Sequence, residues 1–269
     1  MKRRAFLKTS LAAASVAGVS QMMNSTDAAD KKAATEYYEL RIYTLKDAAQ
    51  QKPVDDYLGK ALIPALNRQG ITPVGVFTEV PPAQPPATPQ PPLLYVLAVY
   101  KSLDQFIGVP SKLAGDTEYQ KAGAAYLGVP ATDPAYVRME SSLMASFASL
   151  PKIELPEKKA RIFNLRIYES HGEKAAQKKI EMFNTGELPI FRRNGLKPVF
   201  FGETIIGAKM PNLTYMLTFD DDTARGAAWK RFGADPDWQK LKSIPEYMDK
   251  NIVSHITNKI LVPTASSQI

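Results

Sequence analysis

The chain of 269 residues contains no cysteine and only two histidines, His171 and His255. Without cysteine, disulfides, zinc ribbons, iron–sulfur clusters and thiol nucleophiles are excluded. Two histidines far apart in sequence give little basis for a histidine-based catalytic centre or a multi-histidine metal site, so we expect no metal. The sequence also has no Gly-x-Ser-x-Gly nucleophile elbow and no complete P-loop. It therefore points to no reaction through a standard catalytic motif.

A basic and then apolar segment opens the chain. Two adjacent arginines, Arg3 and Arg4, followed by Phe-Leu-Lys resemble a twin-arginine export signal. The apolar stretch at 11–19 is shorter than the about 20 residues that a membrane-spanning helix needs. We expect residues 1–29 to be a signal peptide, and the mature protein to be periplasmic or otherwise exported, with no stable membrane insertion. The alternative is a disordered basic N-terminus on a cytoplasmic protein.

The net charge of +7 is not a signature of nucleic-acid binding. Residues 1–29 carry a net +3 of it, so the mature chain would be near +4. Nucleic-acid binders concentrate basic residues in a patch or stripe with suitable neighbours, whereas the basic doublets here are scattered. They lie at 158–159, 178–179 and 192–193. We interpret them as solvated faces and expect no nucleic-acid partner.

The second part of the chain repeats the first. The hexapeptide Tyr-Glu-Leu-Arg-Ile-Tyr at 38–43 recurs as Phe-Asn-Leu-Arg-Ile-Tyr at 163–168. Further colinear matches pair Pro64 with Pro189, Gly70 with Gly195, 95–97 with 215–217, and 116–121 with 235–240. A period above 100 residues indicates a duplicated domain, because solenoid repeats are much shorter. We predict repeats at 36–150 and 161–263, joined by a proline- and lysine-rich linker at 151–160.

Each repeat has the pattern of a ferredoxin-like unit, β-α-β-β-α-β. Strands are predicted at 37–45, 73–79, 93–100 and 136–146, and at 162–169, 198–205, 213–219 and 252–262. The prolines at 64 and 189 should bend or restart the first helix of each repeat. Gly70 and Gly195 suit a left-handed helix end. The proline-dense stretch at 81–92 favours an extended loop.

These motifs resemble the NIPSNAP family over most of 36–262. The resemblance rests on the first strand of each repeat, on the Asp-x-(Glu/Asp)-(Tyr/Trp)-Gln signature after the second helix, and on the tandem copies. It implies an α+β fold of the dimeric α/β-barrel type, in which two ferredoxin-like sheets pack face to face. Here both sheets would come from one chain. A homo-oligomer of such chains is a further possibility. Relatives in this superfamily include cofactor-free monooxygenases, isomerases and haem enzymes, so the resemblance implies no single activity.

Side-chain alternation along the first strand of each repeat suggests a ligand site. We expect the Leu and Ile of the hexapeptide to face the helices, which would direct the alternate side chains into the barrel. Those side chains are Glu39, Arg41 and Tyr43 in repeat 1, and Asn164, Arg166 and Tyr168 in repeat 2. Buried arginines need acceptors, so the set would suit a small anionic or enolisable ligand. Alternatively, Glu39 and nearby carbonyls satisfy the arginines structurally; since Asn164 replaces the acid, Arg166 is the stronger ligand contact.

Three functions follow as hypotheses. The first is a small-molecule-binding protein without a cofactor. The second is a cofactor-free monooxygenase or isomerase with His255 or a tyrosine as acid or base. The third is a haem-dependent enzyme with His255 as axial ligand. His255 shares a strand face with Thr257 and Leu261, which we expect to meet the barrel interior; otherwise it is a core or rim histidine.

Overall fold

A computed structural model describes residues 35–81, 84 and 90–269. The proposed signal peptide and most of the proline-dense stretch lie outside these residues. These described residues form one compact unit. In the part of the chain that the structure describes, no helix has the length and apolar character needed to cross a bilayer.

The described residues contain eight strands and ten α-helices. The strands are β1 (Tyr37–Thr44), β2 (Val74–Glu79), β3 (Leu93–Tyr100), β4 (Arg138–Ser146), β5 (Ile162–Glu169), β6 (Lys197–Ile206), β7 (Asn212–Phe219) and β8 (His255–Pro263). The helices are α1 (Gln51–Tyr57), α2 (Ile63–Arg68), α3 (Leu103–Gly115), α4 (Thr117–Ala122), α5 (Ala124–Leu127), α6 (Glu173–Met182), α7 (Leu188–Arg193), α8 (Asp222–Ala234), α9 (Pro236–Lys242) and α10 (Asp249–Ile252). The last predicted strand thus begins at His255, three residues later than expected, because α10 precedes it.

The strands close into one antiparallel barrel in the order β1-β3-β2-β8-β5-β7-β6-β4. Half 1 (residues 36–150) supplies β1 to β4 and half 2 (residues 161–263) supplies β5 to β8. Within each half the strands lie in the spatial order fourth, first, third, second. The halves join through the β2–β8 and β4–β6 pairs. The prediction that both halves close a barrel within one chain is confirmed.

A π-helical turn precedes each helix-interior proline. Leu58–Leu62 separates α1 from α2, and Phe183–Glu187 separates α6 from α7. Proline has no N–H to donate and clashes with the preceding turn of an α-helix. The wider π turn accommodates this change of hydrogen bonding, so the helix restarts just before Pro64 and Pro189, as predicted.

Gly70 and Gly195 end these helices with φ of 74° and 84°, in the left-handed region predicted for them. We expect Gly70→Ala to lower the free energy of unfolding by about 1 kcal/mol. The added Cβ would have no close contact, so the loss comes from the left-handed backbone conformation alone. Gly195→Ala should cost more, since its Cβ would lie 2.8 Å from Nη2 of Arg231, which donates to the carbonyl of Asn194. Urea unfolding of both variants checks this order, and equal losses would contradict it.

The repeated Asp-x-(Glu/Asp)-(Tyr/Trp)-Gln signature has a structural role in both halves. Asp116 accepts from the backbone N–H of Tyr119 at the start of α4, and Asp235 caps α9 in the same way. The same carboxylates receive Arg68 and Arg193 from the ends of α2 and α7. The signature therefore ties the two helical regions of each half together.

Buried apolar side chains form three clusters. One lies between the helices and the sheet of half 1, and one occupies the equivalent layer of half 2. The third fills the barrel interior with residues from both halves, including Leu40, Leu97, Leu165 and Met216. Barrels of eight strands are wide enough to be packed with side chains in this way.

Candidate functional site

The predicted facing of the first strands is wrong. Leu40 and Leu165 belong to the barrel interior, whereas Tyr43 and Tyr168 belong to the helix–sheet layers. Because side chains alternate, Glu39, Arg41, Asn164 and Arg166 also lie on the helix side. The physical reason is that both sheets enclose the interior, which therefore takes the most apolar face. Whether these residues bind a ligand from the helix side stays a prediction.

In half 1 the arginine is satisfied within the chain. Arg41 donates from Nε and Nη2 to the two carboxylate oxygens of Glu39, at 2.6 and 3.0 Å. Tyr100 and Ser141 donate to the same carboxylate at 2.7 and 2.8 Å. Burial alone would favour the protonated acid, but Arg41 and these donors lower the pKa of Glu39. This is the structural alternative considered for the arginines.

In half 2 the charges are arranged differently. Lys179 of α6 lies 2.9 Å from Glu187, and their side chains are only 2% and 3% exposed. Tyr215 donates to the hydroxyl of Tyr168 at 3.0 Å, beside this pair. Arg166 lies under the indole of Trp229, with 4.8 Å between its guanidinium carbon and the ring centre. The six predicted residues thus fall into two separate clusters, one on each side of the barrel.

A cavity of about 210 Å³ opens at one end of the barrel interior. Both halves contribute to its wall. Its apolar residues are Leu40, Ile42, Leu93, Leu165, Ile167 and Ala208, its neutral polar residues are Thr44, Tyr95, Ser142, Asn212, Thr214 and Thr257, and its charged residues are Glu140, Lys209 and Lys259. Larger surface grooves of about 380 and 700 Å³ occur on the linker and on the helices of half 1. Only the barrel cavity among these is formed by both sheets.

A tyrosine, a glutamate and a lysine meet at the cavity wall. Tyr95 donates to Oε1 of Glu79 at 2.5 Å, and Nζ of Lys259 lies 2.9 Å from the same oxygen. Burial and the nearby Glu79 raise the pKa of Tyr95, so its hydroxyl stays protonated. Tyr95 and Lys259 line the cavity, whereas Glu79 is not among the lining residues and contacts both of them.

The turn between β6 and β7 supplies a second lysine to the cavity. Lys209 has a φ of 60°, which a non-glycine residue adopts at some cost. Asn212 holds this turn by donating to the carbonyls of Ala208 and Lys209, both at 3.0 Å. These hydrogen bonds fix the backbone of Lys209 at the rim of the cavity, while its side chain is 56% exposed.

His255 is exposed at the start of β8. Its neighbours Thr257 and Leu261 do face the interior, as predicted, but His255 is not among the residues that line the cavity. The residue that the haem hypothesis requires is therefore outside the cavity, and the hypothesis itself stays a prediction. Among the described residues, no cluster of three or more histidine, aspartate or glutamate side chains could hold a metal ion.

The sequence interpretation missed Tyr95, Glu79, Lys209 and Lys259. A signal for Tyr95 existed in the cross-strand register, because Tyr95 pairs with Ile42 and shares its face. A prediction that placed Ile42 in the barrel interior would also have placed Tyr95 there. Lys259 and Glu79 come from β8 and β2, whose pairing across the two halves has no local sequence signal.

Comparison with known proteins places the fold more firmly than the activity. Residues 163–268 match the NIPSNAP family model. No curated protein matches the chain. A candidate monooxygenase from Fusobacterium nucleatum is 9% identical over 86% of this chain and 93% of its own, with a TM-score of 0.53. A candidate monooxygenase from Lactobacillus acidophilus is 10% identical over 85% and 94%, with a TM-score of 0.52.

An uncharacterized NIPSNAP-like domain protein from Burkholderia xenovorans is 21% identical over 41% of this chain and 90% of its own, with a TM-score of 0.37. The family model matches only residues 163–268, so its match lies in half 2 and the residues that follow it. The described residues have an α+β fold like that of these two candidate monooxygenases. At these identities the likeness concerns the fold alone.

Proposed function

We propose that the protein is a tandem NIPSNAP-like protein that binds a small anionic or enolisable molecule in its barrel. In this proposal each half is a ferredoxin-like repeat, and the mature chain is exported without a cofactor. The observation that carries the proposal is the cavity of about 210 Å³, whose exposed wall surface is mainly apolar although polar and charged residues also line it. That combination is typical of small-molecule sites.

Two lysines on the wall can receive an anionic head group. Lys209 and Lys259 line the cavity together with one acid, Glu140. Nζ of Lys259 lies 2.9 Å from Glu79 and Nζ of Lys209 lies 3.6 Å from Glu169, so a bound anion would replace one of these carboxylates. Lys209 has the longer contact, and we propose that it is the lysine that exchanges its partner. The apolar body of the ligand would lie against Leu40, Leu165 and their neighbours.

Filling the cavity should abolish binding. Benzoate serves as the probe, with benzyl alcohol as its neutral analogue, and calorimetry measures both. We expect benzoate to bind more tightly, and Ile167→Trp to remove binding because the indole occupies the cavity. Ile107→Trp is the matched control, since Ile107 is 70% exposed on α3 and does not line the cavity. Unchanged benzoate affinity in Ile167→Trp would show that the barrel is not the site.

The lysines can be tested separately from the cavity volume. We expect Lys209→Met to weaken benzoate about tenfold, which corresponds to about 1.4 kcal/mol, and to leave benzyl alcohol unaffected. Lys209→Arg should retain most of the affinity. An equal loss for both probes would contradict an electrostatic role.

A cofactor-free isomerase or monooxygenase is the second candidate. The contact among Glu79, Tyr95 and Lys259 favours it, because the Tyr95 hydroxyl on the wall can accept a proton from the ligand as it passes its own to the Glu79 carboxylate, and the Lys259 cation can stabilise the enolate that forms. Deuterium incorporation into an enolisable ketone, followed by NMR in heavy water, tests this step. Exchange that is abolished by Glu79→Gln would support an enzyme. Equal exchange in wild type and Glu79→Gln would leave ligand binding as the only proposed function.

A further inference from the structure

The duplication allows each arginine to be compared with its counterpart. Arg41 pairs with Ser141 across β1 and β4, and Arg166 pairs with Asn258 across β5 and β8. These two pairs are therefore structurally equivalent. The same registers make Asn164 equivalent to Glu39 and Phe219 equivalent to Tyr100.

All three groups that complete the Arg41 site differ in half 2. The carboxylate becomes the amide of Asn164, the Tyr100 hydroxyl is lost at Phe219, and the serine becomes Asn258. The Asn164 side chain has hydrogen-bond partners other than Arg166. Its Nδ2 donates to Asn258 at 2.6 Å, and its Oδ1 accepts from Trp229 at 3.2 Å.

Arg166 is therefore left without a carboxylate partner. No carboxylate among the described residues forms an ion pair with it, and its Nε is buried without a hydrogen-bond partner. The hydroxyls of Tyr168 and Tyr215 lie within reach of the rest of its guanidinium. The buried acid Glu187 has its carboxylate 2.9 Å from Lys179. Aromatic rings flank the guanidinium, with Trp229 at 4.8 Å and Tyr168 at 5.4 Å. A half-buried cation with an unused donor is costly unless an anion completes it.

We propose that Arg166, together with Trp229 and Asn258, forms a second binding site, on the outside of the barrel, for a small carboxylate or inorganic oxyanion. The anion takes the place that the Glu39 carboxylate holds in half 1. Guanidinium groups suit such ligands because their fork of donors matches two oxygens. The proposal does not depend on the barrel cavity, which lies on the opposite face of the sheet.

The chain offers reciprocal variants as the test. Acetate is titrated at constant ionic strength, and the arginine Nε–H signals are followed by ¹H–¹⁵N NMR in the Ile167→Trp background, which removes the barrel cavity. We expect the Arg166 signal, identified by its loss in Arg166→Met, to shift and saturate. Asn164→Glu, which restores the acid of half 1, should abolish the response. Glu39→Asn should make the Arg41 signal respond to acetate.

The thermal midpoint provides a second readout. In the Ile167→Trp background, acetate should raise the midpoint with saturation, and adding Arg166→Met should remove this rise. The comparison keeps the test valid if Asn164→Glu folds poorly. A shift that fails to saturate, or that is the same in Arg166→Met, would overturn the proposal, because general salt effects act on all variants alike.

Discussion

Lys179→Met is expected to destabilise the protein by about 3–5 kcal/mol, the largest effect of a single substitution that we predict. The substitution keeps the side-chain volume but leaves the Glu187 carboxylate, 3% exposed, without its cation. It also removes the ammonium from above the ring of Phe183, 4.7 Å away. Glu187→Leu should lower the stability by a similar amount, because it leaves the buried Lys179 ammonium without its carboxylate partner. Urea unfolding with an unchanged m-value measures both losses.

The positions of half 1 that are equivalent to Lys179 and Glu187 carry apolar residues. The π-helical turns of the two halves differ by 125 residues, which aligns Lys179 with Val54 and Glu187 with Leu62. Both of these are fully buried in the core of half 1. We therefore expect the double variant Lys179→Met/Glu187→Leu to recover most of the lost stability. A double variant as unstable as the two losses combined would show that the pair does not act as a unit.

The predicted fold was accessible because its signals are local or repeated. Gly70 and Gly195 mark helix ends through a backbone conformation that other residues avoid, and Pro64 and Pro189 mark the helix restarts. The repeat of the first strand indicated two copies of one unit. These features depend on nearest neighbours along the chain, so no knowledge of the tertiary contacts was needed.

The predicted facing of the site residues was wrong because alternation fixes which side chains share a face but not which face lies inside. The match of Tyr95 with Tyr215 adds a second error of this kind. In the structure Leu40 pairs with Leu97 and Leu165 pairs with Met216, so the strands align one residue away from the sequence match. Tyr95 consequently faces the interior while Tyr215 faces the helices. The interpretation of the doublet at 178–179 as a solvated face is also wrong for Lys179, which is buried against Glu187. Adjacent residues of a helix point in different directions, so one lysine of a doublet can be buried while the other is exposed.

Glu39→Gln is expected to cost about 2–3 kcal/mol at neutral pH. It leaves the Arg41 guanidinium without the carboxylate that receives two of its donors. The value is below that for Lys179 because the Arg41 side chain is 19% exposed, and water offsets part of the loss. Glu118→Gln is the control: Glu118 is 77% exposed and pairs with Arg68 at the surface, so little change is expected.

The pH dependence of this loss distinguishes a charge effect from a packing effect. Although burial opposes it, contact with Arg41 and the donors Tyr100 and Ser141 lowers the pKa of Glu39 in the folded state. The unfolded chain therefore takes up this proton first as the pH falls. The contribution of Glu39 is fully present above its ordinary pKa and is lost as the pH falls through the lowered one. Unfolding of both proteins from neutral to acidic pH should show the difference between wild type and Glu39→Gln shrinking; a difference that stays constant would mean that the substitution acts through packing.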